Sequence, residues 1–182
     1  FPENLDVIIP ARSIELLRKV DSDVTVSVTK THAEFVMANT TIVTRVIDER
    51  FPPYENVIPK DNDKELTLNV KELIAALKRV AIFTNNKSYQ IKMTVASDGV
   101  IIAGADDDSG ANAQEQLPCD YSGPSFDIGF NYHYVLDGLQ HLDSGSDNNE
   151  CLFTFSSPTR AVLLKPNRED ESLLMLIMPT RL

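Results

Sequence analysis

Apolar positions along this chain follow one pattern, used three times. Asp6–Val20 (DVIIPARSIELLRKV), Leu66–Val80 (LTLNVKELIAALKRV) and Ile128–Leu142 (IGFNYHYVLDGLQHL) each alternate at period two and then switch to spacings of three and four. That switch marks a strand running into a helix. Displacing the first segment by 60 residues and the second by 62 aligns their apolar positions in columns. Ile8 falls with Leu68 and Phe130, Ile14 with Ile74 and Leu136, Leu17 with Leu77 and Leu139, and Val20 with Val80 and Leu142. The last three columns are expected to form the core-facing stripe of each helix.

Three stretches rich in Val, Ile, Thr and Phe follow every helix. They are Val24–Thr29, Glu34–Ala38 and Thr41–Ile47 in the first copy, then Gln90–Ala96, Val100–Ala105 and Gln114–Tyr121 in the second. The third copy supplies Cys151–Ser156, Ala161–Lys165 and Ser172–Met178. Ser97-Asp98-Gly99 is a hairpin signal between two of them. The predicted class is therefore α+β, a repeated β-α-β-β-β unit with helices on one face of antiparallel sheets.

Proline and glycine punctuate the joints. The tandem Pro52-Pro53 forbids helix, and the charged stretch Pro59–Lys64 reads as an exposed linker. The expected division is residues 1–57 and 58–182, the second part holding two units, about 64–122 and 125–182. The first copy then stands without a sibling, as if half a domain lay upstream.

Composition narrows the class. The 182 residues carry 17 Lys and Arg against 27 Asp and Glu, a formal net charge of −10. With 42% hydrophobic and 24% charged residues, the chain reads as a folded protein that buries a core without disulfides. No run approaches the ~20 apolar residues that span a bilayer, so no membrane partner is expected. The start, Phe1-Pro2-Glu3-Asn4, has neither a basic nor an apolar leader segment. Cys119 and Cys151 are the two cysteines, which suits a reducing cytoplasm.

The catalytic motifs are missing: no G-x-S-x-G, Walker loop, G-x-G-x-x-G or H-E-x-x-H occurs. His32, His133 and His141 lack the i, i+4 spacing of paired metal ligands, so neither metal nor cofactor is expected. Asp106-Asp107-Asp108 reads either as a solvated acidic loop or as a patch facing a basic partner. Arg12 and Lys19 lie seven apart on the first helix, opposite Ile14 and Leu17; Lys71 and Lys78 repeat that spacing on the second, beside Arg79. These are ordinary solvated faces, or equivalent helices offering charge to a phosphate backbone without reading bases. Leu173–Met178 (LLMLIM) reads as a buried central strand, which Pro179 stops. Thr180-Arg181-Leu182 then leaves the sheet as a tail that could rim an apolar groove with Tyr134 or Pro52-Pro53.

Together these residues resemble one family. Arg50-Phe51-Pro52-Pro53-Tyr54 with Val57-Ile58-Pro59 resembles the R-F-P-x-Y…(V/I)-(L/I)-P connector of the bacterial DNA polymerase III beta subunit, the sliding clamp. Ile128-Gly129-Phe130-Asn131 before Tyr134-Val135-Leu136, and the ending Met178-Pro179-Thr180-Arg181-Leu182, resemble its I-G-F-N…Y-(V/L)-L and M-P-x-R-L signatures. The resemblance implies the DNA-clamp fold, with residues 1–57 as the second half of a middle domain and 58–182 as the C-terminal domain. It implies a non-catalytic processivity factor, a homodimeric ring around duplex DNA. Its partners would be the replicative polymerase subunit, the clamp loader and repair polymerases, held through short linear motifs.

The resemblance also assigns residues. Arg12, Lys19, Lys71 and Lys78 would face DNA. The partner-peptide pocket would draw Pro52, Asn56 and Val57 from the connector, with Ser88, Asn131, Tyr134, Thr159 and Ala161. The ending adds Leu176, Ile177, Met178, Pro179, Thr180, Arg181 and Leu182. Asn56 and Ser88 depart from a better-known member, which has Arg and Phe there. Ile82, Phe83, Asp106, Asp107, Asp108 and Glu115 would form the subunit interface. Two other readings stay open: an interaction scaffold that encircles no DNA, and an enzyme with an unfamiliar site.

Overall fold

The computed structural model describes residues 6–147, 149–168 and 173–182, and the chain divides into two compact units, one ending at Pro53 and the other Tyr54–Leu182. The expected boundary fell at 57/58; the division places Tyr54–Asn56, a short 3-10 turn, with the second unit.

The first unit holds helix α1 (Ala11–Leu17) and an antiparallel sheet in the order β1 (Thr25–Val28), β2 (His32–Met37), β3 (Thr40–Arg45). β2 alternates strictly, burying Ala33, Phe35 and Met37 while its other residues face out. An isolated bridge from Ile8 to Ile47 is what remains of the expected leading strand.

The second unit runs β4 (Lys64–Asn69), α2 (Val70–Ala81), β5 (Gln90–Ala96), β6 (Gly99–Asp106), β7 (Ala111–Leu117), β8 (Asp120–Tyr121), β9 (Phe126–Asn131), α3 (Tyr132–Leu142), β10 (Glu150–Phe155), β11 (Val162–Pro166) and β12 (Met175–Ile177). One sheet is ordered β12-β11-β10-β4-β8 and the other β7-β6-β5-β9. Each half therefore lends its first strand to the other half's sheet: β4 pairs with β10, and β9 with β5. Helices α2 and α3 pack together and against both sheets. Leu73, Leu77 and Val80 of α2 and Val135, Leu139 and Leu142 of α3 bury completely or nearly so, as do Ile91, Met93 and Ile102 beneath them. Each such side chain contributes about 1.5–3 kcal/mol relative to exposure.

Six expectations change here. The buried stripe begins one residue earlier than the column of Ile14, Ile74 and Leu136: the positions turned inward are Ser13, Leu73 and Val135. With 3.6 residues per turn a neighbour lies about 100° round the helix, so Ile74 and Leu136 sit at the margin. Ile14 is 40% exposed. Helix α1 also ends at Leu17, so Lys19 lies in the turn beyond it.

The expected strand Gln114–Tyr121 is two strands. Leu117 pairs with Val100 in one sheet and Tyr121 with Leu66 in the other. Pro118 has no N–H to continue the ladder, and the chain changes sheet there. The linker Pro59–Lys64 is not free: the Asn62 Nδ2 donates to Thr154 O at 2.8 Å and Arg160 pairs with Asp61.

Of the expected strand Ser172–Met178, residues 175–177 are strand, and β12 is an edge, not a central strand, because it pairs with β11 alone. Ser172 lies outside the described residues. Leu173 and Leu174 are exposed. Finally, the tail does not simply leave the sheet. Thr180 bridges Gly129 of β9, joining the other sheet. The three copies thus close alike, by Ile8 with Ile47, Thr67 with Asp120, and Gly129 with Thr180.

The two thiols are held differently. Cys151 is fully buried on central β10, its Sγ donating to Leu68 O, and burial pushes its pKa up to about 12. Cys119, half-buried at the change of sheet, donates to Ala96 O and is raised by burial and then by Asp120 and Asp98.

Candidate functional site

An apolar groove of about 600 Å³ lies between α3 and β12. Tyr134, Asp137, Gly138 and His141 form its helical wall; Leu173 and Met175–Met178 form the other. Its rim carries large side chains in water: Tyr134 is 65% exposed and Met178 58%. Singly such residues mean little, but here they flank one concavity, the arrangement of a site for apolar side chains of a ligand.

From Met178 the tail crosses to the second sheet. Thr180 N–H donates to Gly129 O at 2.8 Å, and Gln90 Nε2 donates to Arg181 O at 2.7 Å. Leu182 ends in another groove on that sheet, lined by Ser88, Gln90, Lys92, Ala103, Ala105 and Gln114 among others. The tail is therefore a strap with a groove at either end. Beside it Tyr89 adopts a left-handed backbone (φ 51°), and its ring meets His133 edge-on at 4.6 Å. Tyr89 O accepts the Tyr132 N–H, fixing this turn to the start of α3.

On α2 the cations divide. Lys71 Nζ meets Asp147 at 2.7 Å and Gly145 O at 2.8 Å. Arg79 forks onto Glu115 through two 2.6 Å bonds, which hold the Glu115 carboxyl below its ordinary range. Lys78 is exposed and has no carboxylate within ion-pair reach among the described residues. At the C-terminal end of α2, Ile82 is 77% and Phe83 40% exposed. Nearby, Ser109 Oγ and then Asn85 Nδ2 donate to Asp106, holding its carboxyl low, and Lys87 lies 3.6 Å from Asp108. Among the described residues no group of three or more His, Cys, Asp or Glu is placed to hold a metal, and no helix is long and apolar enough to cross a membrane.

Residues 55–181 match the family model of the DNA polymerase III beta subunit, C-terminal domain. The chain belongs to this beta-subunit family. It is 28% identical over 180 residues to the beta sliding clamp of Pseudomonas aeruginosa, covering 97% of this chain and 47% of that one. The beta sliding clamp of Caulobacter vibrioides is 33% identical over 181 residues, covering 96% and 46%. A DnaN sliding clamp from Bartonella birtlesii, solved bound to griselimycin, superposes with a TM-score of 0.84 at 29% identity over 97% of this chain and 47% of that one. A griselimycin-bound clamp from Pseudomonas aeruginosa gives 0.82 at 26% over the same shares. The chain spans about half the length of the curated relatives it matches, and its α+β architecture is that of the clamp fold.

Against the beta-subunit pattern, the structure brings Tyr134, Leu176, Ile177 and Met178 into one groove and Ser88 and Leu182 into the other. Pro179, Thr180 and Arg181 form the strap. Asn131 is primarily a helix cap, its side chain accepting the His133 N–H at 3.0 Å, as Asn69 caps α2 through Glu72. Thr159 and Ala161 lie at the β10–β11 turn; Ala161 O accepts from Asn62 at 3.4 Å, and the β11–β12 register runs from Val162 and Ile177 toward Ala161 and Met178. Val57 is 63% exposed, and Asn56 ends the 3-10 turn. Pro52 belongs to the other unit.

Sequence reasoning missed Asp137, Gly138, His141, Leu173 and Met175 in the groove. The signal was available: Tyr134, Gly138 and His141 recur at i, i+4, i+7 on one face of α3.

Proposed function

We propose that this chain is part of a ring-shaped processivity clamp that encircles duplex DNA and tethers the replicative polymerase. Catalysis and cofactors have no place in the reading. The observation that carries it is the apolar groove of Tyr134 and Met178 joined to an anchored C-terminal strap. Short linear motifs of the polymerase, clamp loader and repair polymerases insert apolar side chains there. Asn56, Val57, Thr159 and Ala161 complete the rim. Arg12, Lys19, Lys71 and Lys78 line the DNA side, where contacts are sequence-independent. Ile82 and Phe83, with Asp106, Asp107 and Asp108, meet the neighbouring subunit of a homodimer. Glu115 reaches that interface as an Arg79 pair and not as a bare carboxylate. The setting is the cytoplasm.

The test uses griselimycin, the ligand of two similar clamps. Isothermal titration of the intact chain is expected to show saturable binding, weakened at least tenfold when residues 179–182 are removed. An intact chain that does not bind, or a truncated one that binds equally, overturns the groove assignment.

A further inference from the structure

We propose that Gly129 and Gln90 are positioning residues for the partner groove, acting through the 179–182 strap; the link to a partner rests on the groove reading above. A Cβ built on Gly129 would lie 2.8 Å from Thr180 O, 2.9 Å from Thr180 Oγ1 and 3.0 Å from Leu182 Cδ2. All three atoms belong to the strap. Gly129 is absent from the positive-φ residues, so alanine fits its backbone conformation and the constraint is space alone.

The repeat shows that the fold itself does not require this glycine. Thr67, the matching residue of β4, carries a side chain while pairing with Asp120 of β8. Gly129 makes room for the strap, and the strap in turn bonds to Gly129 O.

Gln90 supplies the second anchor from the adjacent strand. It stands opposite Asn131 in the β5–β9 register, two residues beyond Gly129, and its amide holds Arg181 O at 2.7 Å. Two anchors on neighbouring strands fix both the height and the direction of the strap. Because Met178 precedes it directly, the same anchors set where the Met178 side chain stands on the groove rim.

Gly129→Ala and Gln90→Leu, made in the 182-residue chain, test this. Amide hydrogen exchange at Thr180 reads the strap; griselimycin titration reads the groove. Gly129→Ala is expected to speed Thr180 exchange at least tenfold and weaken griselimycin several-fold, while the Ile91 and Phe130 amides and the urea midpoint stay unchanged. Gln90→Leu is expected to do the same to a smaller degree. Undiminished protection of Thr180 in both variants overturns the proposal. Loss of protection with unaltered griselimycin affinity overturns the link between strap and groove. If the parent chain binds no griselimycin, the groove reading falls and that link falls with it; Thr180 exchange still separately decides whether the two residues hold the strap.

Discussion

At Gly104 the separation of helix α2 from its sheet is set by a missing methyl group. A Cβ there would approach Thr84 Cγ2 at 2.7 Å and the Val80 side chain and carbonyl at 3.0 Å. Gly104→Ala must push α2 outward, and overpacking of this kind costs about 1–3 kcal/mol. A urea titration is expected to show that loss; a midpoint equal to the parent's would mean the helix shifts freely. Asp127 gives a finer test. Thr94 Oγ1 donates to its carboxylate at 2.6 Å and Lys92 stands 3.5 Å away, and these hold its pKa below the ordinary value. A depressed carboxyl adds stability above the ordinary carboxyl range and loses it as pH falls through the folded value. Thr94→Val is therefore expected to raise the Asp127 pKa, read by carbon-detected NMR titration. No movement would return the shift to Lys92.

Among the elements, the two long helices start by one device: Asn69 and Asn131 each end a strand and accept a backbone N–H of the following turn. Replacing either with Ala is expected to cost about 1 kcal/mol, and Asp should restore most of it. Equal losses on chemical denaturation would mark both as caps; a negligible loss at Asn131 would leave it to the pocket. The asparagines, and the strand-to-helix switch they sit in, are visible in the sequence because the pattern is local. The helix stripe was misplaced because Ser13 fills in the first copy the position that Leu73 and Val135 fill elsewhere, so an apolar alignment skips that column. LLMLIM looked central because hydropathy records burial from any cause, and here groove and core share the run. Neither the change of sheet at Pro118 nor the return of Thr180 to Gly129 could be read, since both depend on partners far along the chain.

For the molecule as a whole, net charge misleads about local charge. Lys71 and Arg79 are engaged by Asp147 and Glu115, which leaves Lys78 as the open cation of α2. If α2 faces DNA, affinity for a nonspecific duplex should be weak, fall with salt on a shallow slope, and fall further in Lys78→Glu. An unaltered isotherm in that variant would remove α2 from the DNA side. Ile82 and Phe83 are exposed here, so truncating them should leave folding stability within ~0.5 kcal/mol of the parent. In a whole beta subunit, Ile82→Ala with Phe83→Ala should give a monomer by light scattering, and an intact dimer would refute the interface.

The two thiols turn the chain into its own recorder of opening. The thiolate is the species that alkylating reagents attack, and at a pKa of about 12 Cys151 is almost entirely thiol at neutral pH as well as shut away on β10. Its labelling must wait for the two halves of the second unit to part, because β10 is bonded to β4 of the other half. Cys119 needs only a breath at the joint where the chain passes between sheets. Timed labelling of the two would separate a local loosening of that joint from complete unfolding, with no probe added.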